Sequence, residues 1–391
     1  MNFVAISPHF PPNYRLFWKH LKELGVTVLG LGDAPYHELD PELLTYLADY
    51  YRVGNMLNYE EMLRALGFLT HKYGKIDRLE SHNEFWLETD ATLRSDFNIP
   101  GFHREDMQKV KRKSAMKKVY QDCGVNVARG IVAQSIEEAR ALIAEVGYPV
   151  VAKPDVGVGA AMTYLLAQEE ELEYFFRTRQ PLDFILEEFI QGQIVTYDGL
   201  VDQDGKVVFD SSLRYSDGVM ESVTQSVDMW YYIEREVPAD LREAGQKLIQ
   251  AYDLKERFFH FEFFRLESGL LCGLEMNMRP PGGMTTDMWD FANDIDIYRE
   301  YANVVVNNRF SAELTRPYYC AYVSRRFGKQ YQFSIDEVLN EYREQVVHHE
   351  FISGVFAPAL GDYGFLVRAK TLDEVRNIVS WIFRKRENII L

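Results

Sequence analysis

Two neighbouring strands beyond residue 255 carry the side chains best suited to chemistry. Polar and apolar residues alternate in the run FHFEFF, so His260 and Glu262 point to one face of a β-strand. The same alternation in the run LCGLEMN places Gly273, Glu275 and Asn277 together on one face of a second strand. Carboxylate and amide oxygens that share a face in this way could hold a hard cation.

The segment between the two strands predicts how they pair. Ser268-Gly269 is expected to be the two-residue turn of a hairpin. Counting outward from that turn places Glu262 directly opposite Glu275, and His260 opposite Asn277. A longer loop would shift this register.

Two carboxylates that face each other across a strand pair repel, so the pairing of Glu262 with Glu275 needs a positive charge between them. Mg²⁺ suits this position, because it prefers oxygen ligands and often bridges carboxylates to substrate phosphates. The amide oxygen of Asn277 can supply a further ligand. A solvated sheet face, where Glu and Asn are common, is the alternative interpretation.

The residues after the second strand favour an anion site. Arg279 follows on the same face, and Pro280-Pro281-Gly282-Gly283 then forms a tight loop before a helix that begins near Thr285. An arginine beside a Gly-rich turn and a helix N-terminus makes an anion pocket.

A second set of residues could bind phosphates. Lys153 ends an apolar strand and precedes a loop that contains Gly157 and Gly159. Glycines let backbone amides approach phosphate oxygens, and lysine adds a point charge. Lys113 lies in the basic helix at residues 109–118. The ordinary alternative for both lysines is a solvated strand end or helix face.

A third element ends in acidic and apolar residues. The strand at residues 184–186 is followed by Glu187, Glu188, Phe189 and Ile190. A carboxylate or carbonyl at such a strand end, beside apolar side chains, could hold an adenine ring. A hinge between two elements is the other interpretation of these four residues.

The order of strands and helices predicts an α/β architecture. Apolar strands at residues 3–6 and 26–29 flank a helix at 14–24, and another helix follows at 59–73, which is the pattern of a parallel α/β domain over residues 1–105. No GxGxxG follows the first strand, so a dinucleotide-dependent oxidoreductase is disfavoured.

The rest of the chain is predicted to form two further parts. A helix at 135–147 begins at Ser135 and stops at Gly147, and Asp204-Gly205 predicts a hairpin between residues 195–201 and 206–210. The residue pattern changes after about residue 310, where a small C-terminal α/β segment is expected.

Composition limits the classes of function. The 391 residues carry 43 Lys and Arg against 59 Asp and Glu, a net charge of −16. An acidic surface repels phosphate backbones, so nucleic-acid binding is disfavoured. No apolar run approaches the ~20 residues needed to span a bilayer. The three scattered cysteines and the absence of a visible signal peptide predict a cytoplasmic protein with no membrane partner.

Taken in order, these pieces resemble the ATP-grasp superfamily, and within it the carboxylate–amine ligases, the biotin carboxylase-like enzymes and the carbamoyl-phosphate-synthase-like enzymes. The resemblance spans roughly residues 1–310. The motifs that carry it are Lys113 with the following Ala115-Met116, GYPVVAKP ending at Lys153 and Pro154, LEEFIQG around Glu187, and ExNxR from Glu275 to Arg279.

The resemblance implies an ATP-grasp fold, of mixed α/β (α+β) class, with three parts. Residues 1–105 would be a Rossmann-like pre-ATP-grasp domain, and residues 106–310 the ATP-grasp domain, with a lid at about 115–183. Residues 311–391 would be the small C-terminal segment.

The resemblance also implies a role for each motif. Lys113 and Lys153 would bind the α- and β-phosphates of ATP, and the loop with Gly157 and Gly159 would close over the triphosphate. Arg279, with Asn277 beside it, would act at the γ-phosphate or acyl phosphate. The remaining roles are adenine binding by Glu187, Glu188, Phe189 and Ile190, and binding of Mg²⁺, with Mn²⁺ as a substitute, by Glu262, Glu275 and Asn277.

The implied reaction begins with attack of a carboxylate on the γ-phosphorus of ATP, which gives ADP and an acyl phosphate. An amine then displaces phosphate and forms a C–N bond. The implied partners are a small-molecule carboxylate, such as an amino acid or peptide-like acid, and an amine. Dimers are common among such enzymes, so a homodimer is also an expectation.

Two positions depart from the family pattern or stay open. Family members often have an acid for the ribose hydroxyls at the position of Ile194, and Asp198 could substitute if both lie on one face of a strand. His260 lies beside the predicted metal strand, either as a positive group near the site or as a buried core histidine.

Other functions fit the same nucleotide site. A kinase or a carboxylating enzyme would carry out a different reaction there, and a stable phosphorylated product without consumption of a second substrate would favour this alternative. A protein that binds ATP without turnover is a further alternative, although pure binding does not need the complete set of Glu262, Glu275, Asn277 and Arg279.

Overall fold

Apolar strands near the amino terminus build the predicted parallel sheet. The computed structural model describes residues 1–157, 162–216, 228–352, 354 and 356–386. Four parallel strands lie in the order β3-β2-β1-β4. The strands are β1 (Asn2–Ile6), β2 (Thr27–Gly32), β3 (Asp49–Arg52) and β4 (Arg78–Glu80). The helices are α1 (Arg15–Glu23), α2 (Pro41–Tyr46), α3 (Tyr59–Tyr73) and α4 (Leu87–Phe97).

A four-stranded antiparallel sheet forms the second body, in the order β6-β9-β7-β8. Its elements are β6 (Gly130–Val132), α7 (Ile136–Val146), β7 (Val150–Pro154), β8 (Tyr164–Leu166), α8 (Glu169–Thr178) and β9 (Phe184–Glu188). The Ser135 side chain accepts a hydrogen bond from the N–H of Glu138, and Gly147 ends α7 at φ +78°, so both predicted ends of this helix are confirmed.

The third body is a large sheet, which has ten strands among the described residues. Nine of them lie in the order β17-β18-β16-β13-β12-β10-β14-β15-β5, and β11 pairs with β10. The strands are β5 (Asn126–Val127), β10 (Gln193–Val201), β11 (Val207–Ser211), β12 (Leu213–Tyr215), β13 (Trp230–Ile233), β14 (Arg257–Arg265), β15 (Leu271–Asn277), β16 (Tyr319–Arg325), β17 (Val346–Phe351) and β18 (Tyr363–Ala369).

Helices cover this sheet and link it to the other bodies. They are α5 (Met107–Lys111), α6 (Lys113–Asp122), α9 (Ala239–Ala251), α10 (Thr285–Asn293), α11 (Ile297–Asn307), α12 (Ile335–Glu341), α13 (Ala357–Leu360) and α14 (Leu372–Phe383). None of the helices that the structure describes has the length and apolarity to cross a membrane.

The sheet pairing differs from the predicted parts in two respects. The strands after residue 310 do not form a separate unit, because β16 pairs with β13 and so extends the large sheet. The antiparallel sheet spans residues 130–188, later than the predicted lid at 115–183. The reason is that α6 packs on the large sheet, where the Tyr120 hydroxyl lies 3.0 Å from the carbonyl oxygen of Glu262 and 2.9 Å from that of Glu275.

An aromatic cluster joins the amino-terminal body to the large sheet and encloses His82. The His82 ring lies 4.5 Å from the ring centre of Phe17, 4.7 Å from that of Tyr301 and 5.8 Å from that of Trp18. The side chain is buried, and its Nε2 atom has no hydrogen-bond partner. Burial lowers the pKa of His82 to about 4.

This histidine predicts a loss of stability in acid. Between pH 6.5 and about 4 the unfolded chain binds a proton at His82 that the folded chain does not, so its contribution is complete above pH 6.5 and lost as pH falls through that window. Relative to His82→Phe, the wild type should lose about 2 to 3 kcal/mol more unfolding free energy between pH 7 and pH 4.5. Denaturant unfolding across this range measures it. Parallel profiles for the two proteins would contradict the assignment.

Candidate functional site

The hairpin of β14 and β15 places the two carboxylates as predicted. Glu262 pairs with Glu275, and His260 pairs with Asn277. The predicted two-residue turn is wrong, however, because Leu266 and Leu270 pair across a three-residue loop that ends in Gly269 at φ +85°.

A β-bulge in β15 compensates for the longer turn. The register shifts by one residue between Glu262 and Phe263, so Phe263 pairs with Gly273 and Leu274 is the extra residue. The sequence predicts that Gly273 shares the face of Glu275. Because of the bulge, it lies on the opposite face instead. A Cβ atom at this glycine would lie 2.5 Å from the ring of Tyr120, so the position needs glycine for α6 to pack closely.

The side chains predicted to bind a metal, Glu262, Glu275 and Asn277, lie close together. Asn277 donates from Nδ2 to Oε1 of Glu262 over 3.4 Å, and Arg279 donates from Nη2 to Oδ1 of Asn277 over 3.3 Å. The Nζ atom of Lys113 lies 3.0 Å from Oε1 of Glu275. Burial raises the pKa of Glu262, but His260 and Arg279 outweigh burial, so the net shift of this pKa is downward. The strand face is thus a charged cluster that favours the ionised form of Glu262.

These residues fit Mg²⁺ by the chemistry of their donors. Glu262, Glu275 and Asn277 offer only carboxylate and amide oxygens, and no soft ligand stands among them. Across the described part of the chain, no group of three or more His, Cys, Asp or Glu side chains is placed to enclose a metal. Mg²⁺ is usually bound by one or two carboxylates together with water and substrate phosphates, so a partial set of this kind suits it better than a closed cage.

Lys117 is a third buried lysine beside the two that were predicted. Lys153 of β7 and Lys117 of α6 both pair with Glu187, at 2.8 Å each. Burial lowers the pKa of Lys153, but Glu187, Glu275 and Glu262 raise it and prevail. Burial prevails at Lys117, whose pKa is lowered. Lys117 was not predicted, although its spacing of four residues from Lys113 places both on one face of α6.

Asp155 fixes the start of α6 against the predicted phosphate loop. Its carboxylate accepts hydrogen bonds from the backbone N–H of Ser114 over 2.8 Å and from the Ser114 hydroxyl over 3.0 Å, and it pairs with Arg112. The Lys113 ammonium then reaches the carbonyl oxygen of Gly157 at 3.2 Å. Gly159, the other predicted glycine, lies outside the described residues.

The predicted adenine segment has its two acids otherwise engaged. The Glu187 carboxylate is buried between two lysines. Glu188 forms an ion pair with Arg129, whose Nε and Nη2 atoms lie 3.0 and 2.6 Å from its Oε2 atom. Phe189 is partly exposed, Ile190 is half-buried, and both follow the end of β9. The backbone N–H of Phe189 donates to the carbonyl oxygen of Pro149 over 3.3 Å.

Glu84 joins the site from the amino-terminal body, and the sequence did not predict it. Its Oε2 atom lies 3.6 Å from Nε of Arg279 and has no hydrogen-bond partner. Burial raises the pKa of Glu84, and the nearby Arg279 and Lys111 only partly oppose this. An acceptor that is buried without a donor, next to an arginine, is suited to a ligand that carries a positive group.

Asp198 is not available for ribose hydroxyls. It is fully buried, accepts a hydrogen bond from the Thr196 hydroxyl over 2.5 Å, and contacts Nδ1 of His260 at 2.7 Å. His260 lies between two acids, because its Nε2 atom is 3.0 Å from Oε1 of Glu262. Burial lowers the pKa of His260, but Asp198 and Glu262 raise it to about 9. The proposed substitution of Asp198 for the missing ribose acid is therefore wrong.

Comparison with known proteins agrees with this geometry. The profile of the ATP-grasp domain matches residues 146–287. An L-arginine-specific L-amino acid ligase from Bacillus subtilis is 25% identical over 283 residues, which are 68% of this chain and 68% of that protein.

Two solved structures share the fold over nearly the whole chain. An L-amino acid ligase from Bacillus licheniformis superposes with a TM-score of 0.75 at 16% identity, covering 97% of this chain and 96% of the other. N5-carboxyaminoimidazole synthetase from Staphylococcus aureus, complexed with ADP, also has a TM-score of 0.75, at 15% identity, covering 98% and 97%.

Proposed function

We propose that this chain, whose fold is that of the ATP-grasp enzymes, is an ATP-dependent carboxylate–amine ligase that works through an acyl phosphate. The observation that carries the proposal is that Glu262 of β14 shares one face of the hairpin with Glu275 and Asn277 of β15. Arg279 follows directly, and the buried Lys113 lies 3.0 Å from Glu275. A site that only bound nucleotide would not need two glutamates placed opposite each other on neighbouring strands.

The triphosphate would lie between α6 and β7. Lys113 and Lys153 are the proposed contacts to the α- and β-phosphates, and Lys117 adds a third charge. Gly157 and Gly159 belong to the loop proposed to cover the phosphates, and the backbone of Phe189 and Ile190 would contact adenine. Catalysis of phosphoryl transfer depends mainly on such positioning and charge neutralisation, so these contacts suffice without a covalent nucleophile.

Glu262, Glu275 and Asn277 would hold Mg²⁺, or Mn²⁺ in its place. When bound, the ion would neutralise charge on the β- and γ-phosphates. Asn277 can share its oxygen between Arg279 and a ligand, because an amide oxygen has two lone pairs. Lys113 would turn from Glu275 toward phosphate as the nucleotide enters, since it is the flexible partner of that ion pair.

The reaction forms one bond and breaks one in each of two steps. A substrate carboxylate oxygen attacks the γ-phosphorus, and the bond from that phosphorus to ADP breaks. An amine nitrogen then attacks the acyl carbon, and phosphate leaves as the C–N bond forms. Arg279 is placed to stabilise the negative charge of both steps, because its guanidinium is fixed by Asn277 and the Pro280 carbonyl.

An α-amino acid is the proposed carboxylate substrate. Arg279 offers a partner for the carboxylate, and the unpartnered Oε2 atom of Glu84 offers an acceptor for the ammonium group on the next carbon. The L-amino acid ligases among the relatives support the same class. We further propose that the enzyme acts in the cytoplasm, where its three unpaired cysteines would stay reduced.

The test is a screen for ADP release with MgATP and each of the twenty amino acids, singly and in pairs. ADP and phosphate should appear with a C–N-bonded product. With one amino acid and hydroxylamine as the amine, a hydroxamate should form, because hydroxylamine traps acyl phosphates. A stable phosphorylated product would instead indicate a kinase. Consumption of bicarbonate would indicate a carboxylating enzyme, and binding of ATP without turnover would contradict catalysis.

Lys153→Ala provides a control within the same screen. The KM for ATP should rise about tenfold to a hundredfold, because a hydrogen bond to a charged group contributes about 1.5 to 3 kcal/mol. Lys118→Ala is the matched variant, since Lys118 is exposed on α6 and pairs only with Asp122 among the described residues. An unchanged ATP dependence in Lys153→Ala would remove Lys153 from the nucleotide site.

A further inference from the structure

We infer that Asp198 and His260 are positioning residues that hold the Glu262 carboxylate in one orientation for the divalent cation. This inference rests on the proposed function, because it concerns the same metal site. Neither residue belongs to the set that would touch nucleotide or metal. Their positions in the sheet nevertheless connect them by hydrogen bonds to Glu262, which does belong to that set.

Three adjacent strands bring the groups into line. In the pairing of β10 with β14 and of β14 with β15, Asp198 lies opposite His260, which lies opposite Asn277. One step along the strands, Thr196 lies opposite Glu262. Residues two apart on a strand share a face, so all of these side chains emerge on the same side of the sheet.

Hydrogen bonds connect the backbone of the core to this face. The N–H of Leu213 donates to the Thr196 hydroxyl over 2.9 Å, and that hydroxyl donates to Oδ2 of Asp198 over 2.5 Å. The other oxygen, Oδ1, accepts from Nδ1 of His260 over 2.7 Å. Both oxygens of Asp198 are thus committed, and the imidazole ring can neither rotate nor shift without breaking a buried hydrogen bond.

This series of hydrogen bonds ends at the Glu262 carboxylate. Exposure rises along it, from 0% for the Asp198 side chain through 5% for His260 to 22% for Glu262. Nε2 of His260 lies 3.0 Å from Oε1 of Glu262, and Nδ2 of Asn277 donates to the same oxygen over 3.4 Å. Oε1 is therefore occupied, and Oε2 is the oxygen left to face a cation. We expect Glu262 to bind through one oxygen.

The two metal carboxylates differ in what neutralises them. Glu275 pairs with Lys113, a flexible side chain that the triphosphate would draw away. Glu262 pairs with His260, which is buried and anchored from behind by Asp198. A buried carboxylate such as Asp198 costs desolvation energy, and a role in orienting a metal ligand gives a reason to retain it.

The experiment titrates Mg²⁺ by calorimetry into protein saturated with the nonhydrolysable analogue β,γ-imido-ATP. Asp198→Asn and His260→Gln should each raise the Kd for Mg²⁺ about tenfold to a hundredfold, the usual effect of losing a residue that orients a metal ligand. The affinity for the analogue without Mg²⁺ should stay within twofold of wild type. In turnover assays the Mg²⁺ requirement should rise in the same proportion.

Asp210→Asn is the matched control. Asp210 lies on β11, next to β10, and is a half-buried carboxylate paired with Arg242 and Arg316, away from Glu262. This variant should lose stability but keep the wild-type Kd for Mg²⁺. If it weakens Mg²⁺ binding as much as Asp198→Asn does, general loosening of the sheet explains the effect and the inference fails.

Thr196→Val guards against a variant that does not fold. It keeps the side-chain shape and removes the hydroxyl that donates to Asp198 and accepts from the N–H of Leu213, so it should shift the Kd for Mg²⁺ in the same direction by a smaller factor. Wild-type Kd values in all three variants would overturn the inference. Absence of Mg²⁺-dependent binding in the wild type would instead overturn the proposed function.

Discussion

Glu275→Gln should reduce the rate of ADP release by about three orders of magnitude while the protein remains folded. Glutamine has the shape of glutamate, and its amide oxygen can still accept from Lys113, so the packing of β15 should persist. It lacks the negative charge that a divalent cation needs, and a bound metal contributes several kcal/mol of transition-state stabilisation. Initial rates at saturating MgATP, with thermal unfolding in parallel, measure both expectations.

Glu267→Gln is the control for this result. Glu267 lies exposed in the loop of the same hairpin, so its substitution removes one negative charge from the hairpin at a distance from the cluster. Its rate of ADP release should equal that of wild type. Full activity in Glu275→Gln, with both variants folded, would remove Glu275 from the metal set and with it the pairing of carboxylates as the basis of the function.

Arg279→Lys should lower kcat by about a hundredfold to a thousandfold, which is the usual cost of removing a donor aimed at developing charge. Lysine keeps the positive charge but not the planar fork of nitrogens. The arginine fork reaches Asn277 and the Pro280 carbonyl while its Nε atom faces Glu84, and a single ammonium cannot satisfy all three.

The hydroxamate assay separates the two steps for this variant. If Arg279 stabilises phosphoryl transfer, hydroxamate and ADP should fall together. Arg265→Lys is the control, since Arg265 lies on the neighbouring strand and pairs with Asp240 near the end of the hairpin away from the cluster. A normal kcat with a raised KM for the amino acid would show that Arg279 only binds the substrate carboxylate.

Alternation within single strands was enough to predict the face shared by Glu262 and the opposing Glu275. It could not predict how that pairing arises, because the three-residue loop and the bulge at Leu274 each shift the register by one and cancel. Gly273 is the residue at which the two register shifts do not cancel. It lies between the two irregularities, and its predicted face is the wrong one.

Contacts between distant segments account for the other differences. Glu84 reaches Arg279 only through the packing of the amino-terminal body on the large sheet, which no local pattern encodes. Asp198 could be placed on a strand, but its partner depends on the register between β10 and β14. The helical spacing of four residues from Lys113 is enough to place Lys117 on the same face of α6, whereas its burial cannot be predicted from that spacing.

The packing of α6 on the large sheet divides the residues proposed to bind nucleotide between two sheets. The Tyr120 hydroxyl of this helix donates to backbone carbonyl oxygens of β14 and β15. Lys113 and Lys117 would therefore move together with the large sheet. Lys153 and Glu187 stand on the antiparallel sheet instead. An outward swing of that sheet would break the ion pair between Lys117 and Glu187 and strain the hydrogen bonds between Asp155 and Ser114, while the strands that carry Glu262, Glu275 and Asn277 could stay in place. ADP would then lose its contacts to the antiparallel sheet alone. It could leave without any change in the positions of Glu262, Glu275 and Asn277.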